Sequence, residues 1–336
     1  MLNLCRYAVV SSTVAVLLAA CGGSQSGQSM PGLAPRTAAT DSREQSRAWM
    51  ADGIANRDLL YVSNGTTVDV YRYWQRTQVG NLTGFISARG ECVDSADNVY
   101  ITDSKANDVV EYAHGGTKPI QIFKAHTPLR CAVSPLNGDL AIANWKFGVS
   151  IYRPGKKRPI VYTGLYRYAA VGYDNDGDLL VTTGCTIPSS SCPPAGFAYL
   201  PRTGRKLISI DIRPYASGYF LHPTDILWDG KDWVVGQAPG LYRYRITGSK
   251  VRYVGKTGLD HFLSGAAIYN PTAEKQGTEA VGPAAVRGSS KTGTYRYMVD
   301  FWNYPGGGYP IELIDVPGGP VAISCARVGC ERKPRL

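Results

Sequence analysis

From Asp58 onward the chain is a succession of short apolar runs punctuated by Gly, Pro, Asp and Asn clusters. One unit recurs in register: a short apolar strand, a polar turn, and a second apolar strand. It reads Glu91-Cys-Val-Asp with Asn98-Val-Tyr-Ile, then Cys131-Ala-Val-Ser with Asp139-Leu-Ala-Ile. It returns as Ala169-Ala-Val-Gly with Asp178-Leu-Leu-Val, and as Asp225-Ile-Leu-Trp with Asp232-Trp-Val-Val. Gly265-Ala-Ala-Ile-Tyr269 is a fifth, less regular copy, and Gly319-Pro-Val-Ala-Ile-Ser324 a sixth. The sixth copy has no second strand after it, and an unattached strand stands at the other end, Asp58-Leu-Leu-Tyr-Val-Ser63. Further strands such as Val68 to Tyr73 and Val149 to Tyr152 follow the pair in their units. Alternation in these strands predicts Val and Ile on one face and polar groups on the other.

A second repeat marks the end of these later strands. Tyr112-Ala-His-Gly-Gly-Thr-Lys-Pro119-Ile120 returns as Tyr152-Arg-Pro-Gly-Lys-Lys-Arg-Pro159-Ile160, and again as Tyr304-Pro-Gly-Gly-Gly-Tyr-Pro310-Ile311. Each copy is an aromatic strand end, a Gly-rich turn and a Pro-Ile strand start. The first two lie about forty residues apart, within the spacing of repeat architectures. The predicted fold is all-β: a six-bladed β-propeller of four-stranded units over residues 58–330, in which the C-terminal strand joins the strand begun at Asp58 and leaves no open edge. An insertion around Asn270 to Gly293 leaves a seventh blade or a degenerate sixth open. The repeat itself is expected to be a hairpin on the face opposite the binding mouth.

Phrases such as Gly90-Glu-Cys-Val-Asp-Ser-Ala-Asp-Asn-Val-Tyr-Ile-Thr-Asp103 resemble the six-bladed propellers of the NHL-repeat and gluconolactonase-like superfamily. The resemblance covers Asp58 to Val328. It specifies a fold more than an activity. The gluconolactonase branch implies a divalent cation held by Glu, Asn and Asp side chains, for which Glu91, Asn144 and Asp225 are the weak candidates here.

The N-terminus has a charged start at Arg6 and an apolar run from Tyr7 to Ala20, too short for a stable membrane span. It reads as a signal peptide over residues 1–20. The run ends Leu18-Ala-Ala-Cys21-Gly22, which resembles the bacterial lipobox, so Cys21 is expected to be lipidated and to hold the protein at the bacterial cell envelope. Residues 21–57, rich in Ser, Gln, Gly, Ala and Arg, are expected to be a flexible tether, and 331–336 a basic tail.

Removal of Cys5 with the signal and lipidation of Cys21 leave six cysteines in a disulfide-permissive setting. Cys185 with Cys192, and Cys325 with Cys330, bracket short loops and are predicted pairs. Cys92 and Cys131 remain, at matching strand positions, and are the third. The formal net charge of +10 is reduced by one when Arg6 leaves. Outside the cytosol a basic protein meets anionic lipid, polysaccharide or acidic proteins, so no nucleic-acid partner is expected.

Functional residues are expected in the loops and strand starts at one end of the ring. The candidate ligand-binding residues are Arg89, Glu91, Arg130, Asn144, Arg167, His222 and Asp225, beside Tyr166, Tyr168 and a loop from Cys185 to Pro194. Guanidinium groups grip carboxylates and phosphates, and aromatic faces stack on sugars, so an anionic or sugar-like ligand is expected. Asp174-Asn-Asp-Gly-Asp178 looks like the start of a calcium loop, but Cys185 stands at its twelfth position and a turn is expected instead. No catalytic motif is present. The leading expectation is a monomeric binding or interaction module without a cofactor; the alternatives are a metal-dependent lactonase or hydrolase at the channel mouth, and an envelope assembly scaffold.

Overall fold

A computed structural model describes residues 48–165, 167–183, 196–211, 225–237, 240–258, 266–269, 279–287, 295–303, 312–315 and 322–326. From 279 onward only the backbone is described. The chain divides into two units, Met1–Asp41 and Ser42–Leu336, and the described residues belong to the second. The signal peptide, Cys21, His222, Tyr166, the Cys185 to Pro194 loop, Cys330 and the basic tail lie outside the described residues, as does the side chain of Cys325.

The described part is all-β with one 3-10 turn at Ile54–Asn56. The first sheet contains β1 (Trp49–Met50), β2 (Leu59–Ser63), β3 (Val68–Arg72) and β4 (Gln78–Leu82). The second holds β5 (Ala88–Val93), β6 (Val99–Asp103), β7 (Asp108–Tyr112) and β8 (Pro119–Lys124). The third holds β9 (Pro128–Val133), β10 (Leu140–Asn144), β11 (Gly148–Tyr152) and β12 (Ile160–Tyr162). The fourth holds β13 (Tyr168–Tyr173), β14 (Leu179–Thr183), β15 (Gly196–Leu200) and β16 (Ile208–Ile210). The fifth holds β17 (Ile226–Trp228), β18 (Trp233–Gln237), β19 (Gly240–Thr247) and β20 (Lys250–Gly258). The sixth holds β21 (Ala267–Tyr269), β22 (Glu279–Arg287), β23 (Tyr295–Asn303) and β24 (Glu312–Asp315).

Every pairing is antiparallel between strands consecutive in the chain, with two exceptions, both in the first sheet. There β1 lies beyond β4, and β25 (Ala322–Ala326) pairs with β2, Leu59 opposite Ala326 and Ser63 opposite Ala322. The recurrent unit of the sequence is the first two strands of each sheet. In its first two copies the Tyr-to-Pro-Ile phrase is the hairpin from third to fourth strand, β7 ending at Tyr112 and β8 beginning at Pro119, β11 ending at Tyr152 and β12 beginning at Ile160; the third copy lies outside the described residues.

The sheets bury both faces of their middle strands. All five residues of β6, Val99 to Asp103, are buried, and so are all five of β10 and β11. In β6, Val99 and Ile101 pack with Leu59, Tyr61 and Val70 of the first sheet, while Tyr100 turns to Ile142 and Tyr152 of the third. Thus the apolar-in, polar-out alternation expected of these strands does not hold. A strand between two neighbouring sheets has no solvent face, so both of its side-chain sets are apolar. The outer strands β8, β12 and β20 are largely exposed.

Order begins earlier than the expected boundary at Asp58. Trp49 and Met50 pair with Asn81 and Gly80 of β4, and Ile54, 2% exposed, belongs to the core between the first two sheets. Within the expected tether, Trp49 and Met50 therefore extend the first sheet and Ile54 joins its core, because the β4 edge offers backbone partners and the space between the first two sheets apolar burial.

Candidate functional site

The first strands of five sheets converge. A cavity of about 300 Å³ lies between β5, β9, β13, β17 and β21. Its walls reach from Asp225 and Ala266, just before β17 and β21, to Pro135 after β9 and Asn175 after β13. The convergence depends on residues with no side chain: a Cβ on Gly90 of β5 would stand 2.3 Å from the Leu129 carbonyl oxygen, and one on Gly172 of β13 would stand 2.5 Å from that of Ile226.

One end of the cavity is marked by an ion pair between distant parts of the chain. Nε of Arg130, near the start of β9, donates to Oδ1 of Asp225, immediately before β17, at 3.0 Å. The fourth sheet lies between these two in the chain. Both side chains are mostly buried, 13% and 16% exposed. Arg130 Nη1 also donates to the carbonyl oxygens of Arg89 and Leu129. The Ala266 backbone N–H donates to Asp225 Oδ2 at 2.7 Å. Burial pushes the Asp225 carboxyl up to about 6, against the pull of Arg130 and the Ala266 N–H. Glu91 lines the same cavity, 7% exposed, and its Oε1 accepts a hydrogen bond from the Ser63 hydroxyl of the first sheet.

The remaining wall is aromatic and apolar, with Tyr173 and Trp228 at the level of the turns. The Trp228 ring meets Trp233 edge-on, centroids 5.3 Å apart, and its indole N–H is buried with no acceptor among the described residues. Among the described lining residues there is no Ser, Thr, His or Lys.

The structure separates the sequence candidates into three groups. Arg89, Glu91, Arg130 and Asp225 stand at or beside this junction; Arg89 itself is exposed and its Nε donates to Ser87 Oγ at 3.1 Å. Arg167 stands apart, its guanidinium over the Trp145 ring at 5.1 Å. Asn144 is fully buried at the end of β10 and acts as a clamp. Its amide donates to Ser150 Oγ at 2.9 Å and to the Ile142 and Gly148 carbonyls, and its Oδ1 accepts the His126 N–H at 3.0 Å. Asp103, at the matching end of β6, grips the Ile86 and Ser87 N–H groups in the same way.

This geometry does not fit the cation site that the gluconolactonase resemblance implies. Asn144 turns its amide to its own hairpin and its oxygen to the His126 N–H, Asp225 is bound by Arg130 and Ala266, and Glu91 by Ser63. Among the described residues no group of three or more His, Cys, Asp or Glu is placed to hold a metal ion. The calcium-like run is a turn: Asp174 Oδ1 accepts the N–H groups of Asp176 and Asp178 at 3.0 and 2.9 Å.

Cys92 and Cys131 form a disulfide that ties β5 to β9 beside the cavity, with Cα atoms 5.6 Å apart. Trp228 and Tyr173 are the lining residues that sequence reasoning missed. Their only signal was an aromatic residue closing the first strand of a unit, which reads equally as core.

No family model matches the chain, and no curated protein sequence does. Among solved structures, it is similar to a protein of unknown function from Bacteroides caccae, with a TM-score of 0.55 and 12% identity over 81% of this chain and 99% of that one. It also matches Kuenenia stuttgartiensis hydrazine synthase, with a TM-score of 0.47 and 13% identity over 76% of this chain and 75% of that one. The first likeness is one of fold.

Proposed function

We propose that the protein is a non-catalytic binding module: a six-bladed β-propeller of the NHL-repeat-like kind, exported and held at the bacterial cell envelope by a lipid on Cys21, with a sugar-like ligand in the cavity between its first strands. Six antiparallel sheets, the pairing of β25 with β2, and a cavity shared by the first strands of five sheets support the ring. The observation that carries the ligand class is the composition of that cavity. Arg130 is already answered by Asp225 and by backbone carbonyls, so its charge has no claim on an external anion. Set in an otherwise largely aliphatic lining, the polar and aromatic side chains that a ligand would meet are Glu91, Asp225, Asn175, Tyr173 and Trp228. Fixed carboxylates accept hydroxyl protons, and aromatic faces cover the C–H faces of a pyranose, which suits a neutral polyhydroxyl compound better than a carboxylate or phosphate. The volume is at the small end for ligand sites. No observation favours the hydrolase reading, since the described lining holds no nucleophile paired with a base.

The test is calorimetric titration of the mature protein with neutral mono- and oligosaccharides and with their uronate and phosphate counterparts. Saturable binding of a neutral sugar is expected, about tenfold weaker in Asp225→Asn and in Trp228→Ala. Preference for the anionic counterparts, or neutral-sugar binding that both substitutions leave intact, would overturn the assignment.

A further inference from the structure

A second cavity, of about 290 Å³, lies between the second and third sheets, away from the junction of first strands. It is walled by the turn after β5 (Asp94, Ser95), by β7 and β8, and by the hairpin after β11 (Arg153 to Gly155). That hairpin is the second copy of the Tyr-to-Pro-Ile phrase, expected from the sequence to serve folding alone.

Three aromatic rings form a corner in it. Tyr100 and Phe123 have centroids 6.0 Å apart, and Phe123 meets Tyr152 edge-on at 5.2 Å. Tyr152 is held by its hydroxyl, which donates to the Lys124 carbonyl at 2.6 Å, and is 4% exposed. All three rings line the cavity, and an aromatic face carries a negative quadrupole that attracts cations.

Two carboxylates share the same wall. Asp94 is well supplied with donors: the Ala96 and Asn98 N–H groups, the Asn98 amide and the Tyr100 hydroxyl. Among the described residues, the side-chain donor to Glu111, 8% exposed, is the Tyr100 hydroxyl, and that group has one proton to give, directed at Asp94 Oδ2 at 3.1 Å. Burial and the neighbouring Asp94 charge push the Glu111 carboxyl up. Among the described residues no cation pairs with either carboxylate. Arg153, exposed at the rim, acts on Asp139 instead. A buried carboxylate that shares a single donor, set in a roomy aromatic corner, is in want of a positive charge.

We propose that this cavity binds a small organic cation through its alkylammonium group, the rings of Tyr100, Phe123 and Tyr152 packing on its carbon atoms and Glu111 supplying the counter-charge. The cation and its alkyl substituents satisfy both halves of the site at once. A metal ion would leave the rings idle, and a neutral apolar molecule would leave Glu111 unanswered.

The experiment titrates the purified mature protein with choline, with butylamine, and with the uncharged tert-butyl analogue of choline, by calorimetry and by saturation-transfer NMR. Saturable binding of at least one amine at millimolar concentration or below is expected, with the neutral analogue weaker by about tenfold or more. Choline ahead of butylamine identifies a quaternary headgroup as the ligand, and the reverse order a primary amine. Glu111→Gln and Phe123→Leu should each weaken the preferred amine by about tenfold, and Arg153→Ala should leave it unchanged or tighter. Phe123→Leu keeps apolar volume, and a melting curve on each variant confirms folding. Absence of saturable amine binding, equal binding of the neutral analogue, or binding indifferent to Glu111→Gln overturns the proposal.

Discussion

Replacing Gly172 by alanine adds one methyl group at a point where the backbone of another sheet already stands. A Cβ there would lie 2.5 Å from the Ile226 carbonyl oxygen, 2.7 Å from Ile226 Cγ2 and 3.0 Å from the Ile226 carbonyl carbon. Two of the three are main-chain atoms of a paired strand, so no rotamer change relieves the contact and β13 and β17 must separate. Overpacking of this kind costs about 1–3 kcal/mol, and a chain of this size loses about 1–2 °C in melting temperature per kcal/mol. Gly258, at the exposed end of β20, is the internal control: its Cβ would meet nothing within 4 Å and its backbone is not left-handed. The expected result is a fall of several degrees for Gly172→Ala and little change, or a slight gain, for Gly258→Ala. The assay is differential scanning calorimetry of the mature protein with disulfides intact. If the two variants melt together, the close approach of first strands is not a constraint on this fold and the convergence that builds the cavity is misplaced.

Arg130→Met should destabilise by about 1–4 kcal/mol near neutral pH by leaving Asp225 without its partner, and Asp225→Asn on top of it should restore part of the loss. Asp225 already has its folded value raised to about 6, and loss of Arg130 raises it further, so the penalty must be largest above that value and shrink as pH falls towards 4; urea melts across that range check the sign. Reduction of the Cys92–Cys131 bond, which closes a loop with a sequence separation of 39, should cost about 4 kcal/mol by chain entropy, read as a lower melting temperature in reductant. Ile54→Ala should cost about 2–4 kcal/mol, as for any fully buried aliphatic side chain, whereas a true tether residue would show no change in the same melt.

The strand units were legible because their signal is local. Asp139-Leu-Ala-Ile and Cys131-Ala-Val-Ser declare a turn and two strands within a few residues, and β9 and β10 pair as those phrases suggest. The return of the last strand to β2 was legible too, from an unmatched first strand at one end and an unmatched second strand at the other. The role of Asn144 was not. Its position at a strand end is where a ligand residue would stand, and only the positions of Ser150, Gly148 and His126 around it show that its polar atoms face inward. The Arg130–Asp225 pair spans 95 residues, and no periodicity links its members. The Tyr100, Phe123 and Tyr152 corner escaped notice for the opposite reason: aromatic residues in strands read as core, and a cavity beside them leaves no trace in the sequence.

The union of β25 with β2 fixes an order of events during synthesis. Strands β2 to β4 are made first, yet the neighbour that covers the open side of β2 is made only after the strands of the other five sheets. Until then Leu59 to Ser63, apolar and fully buried in the finished sheet, present an unpaired edge. Premature pairing there with a second nascent chain would be a hazard of production, and any delay of pairing until β25 has been made would avoid it.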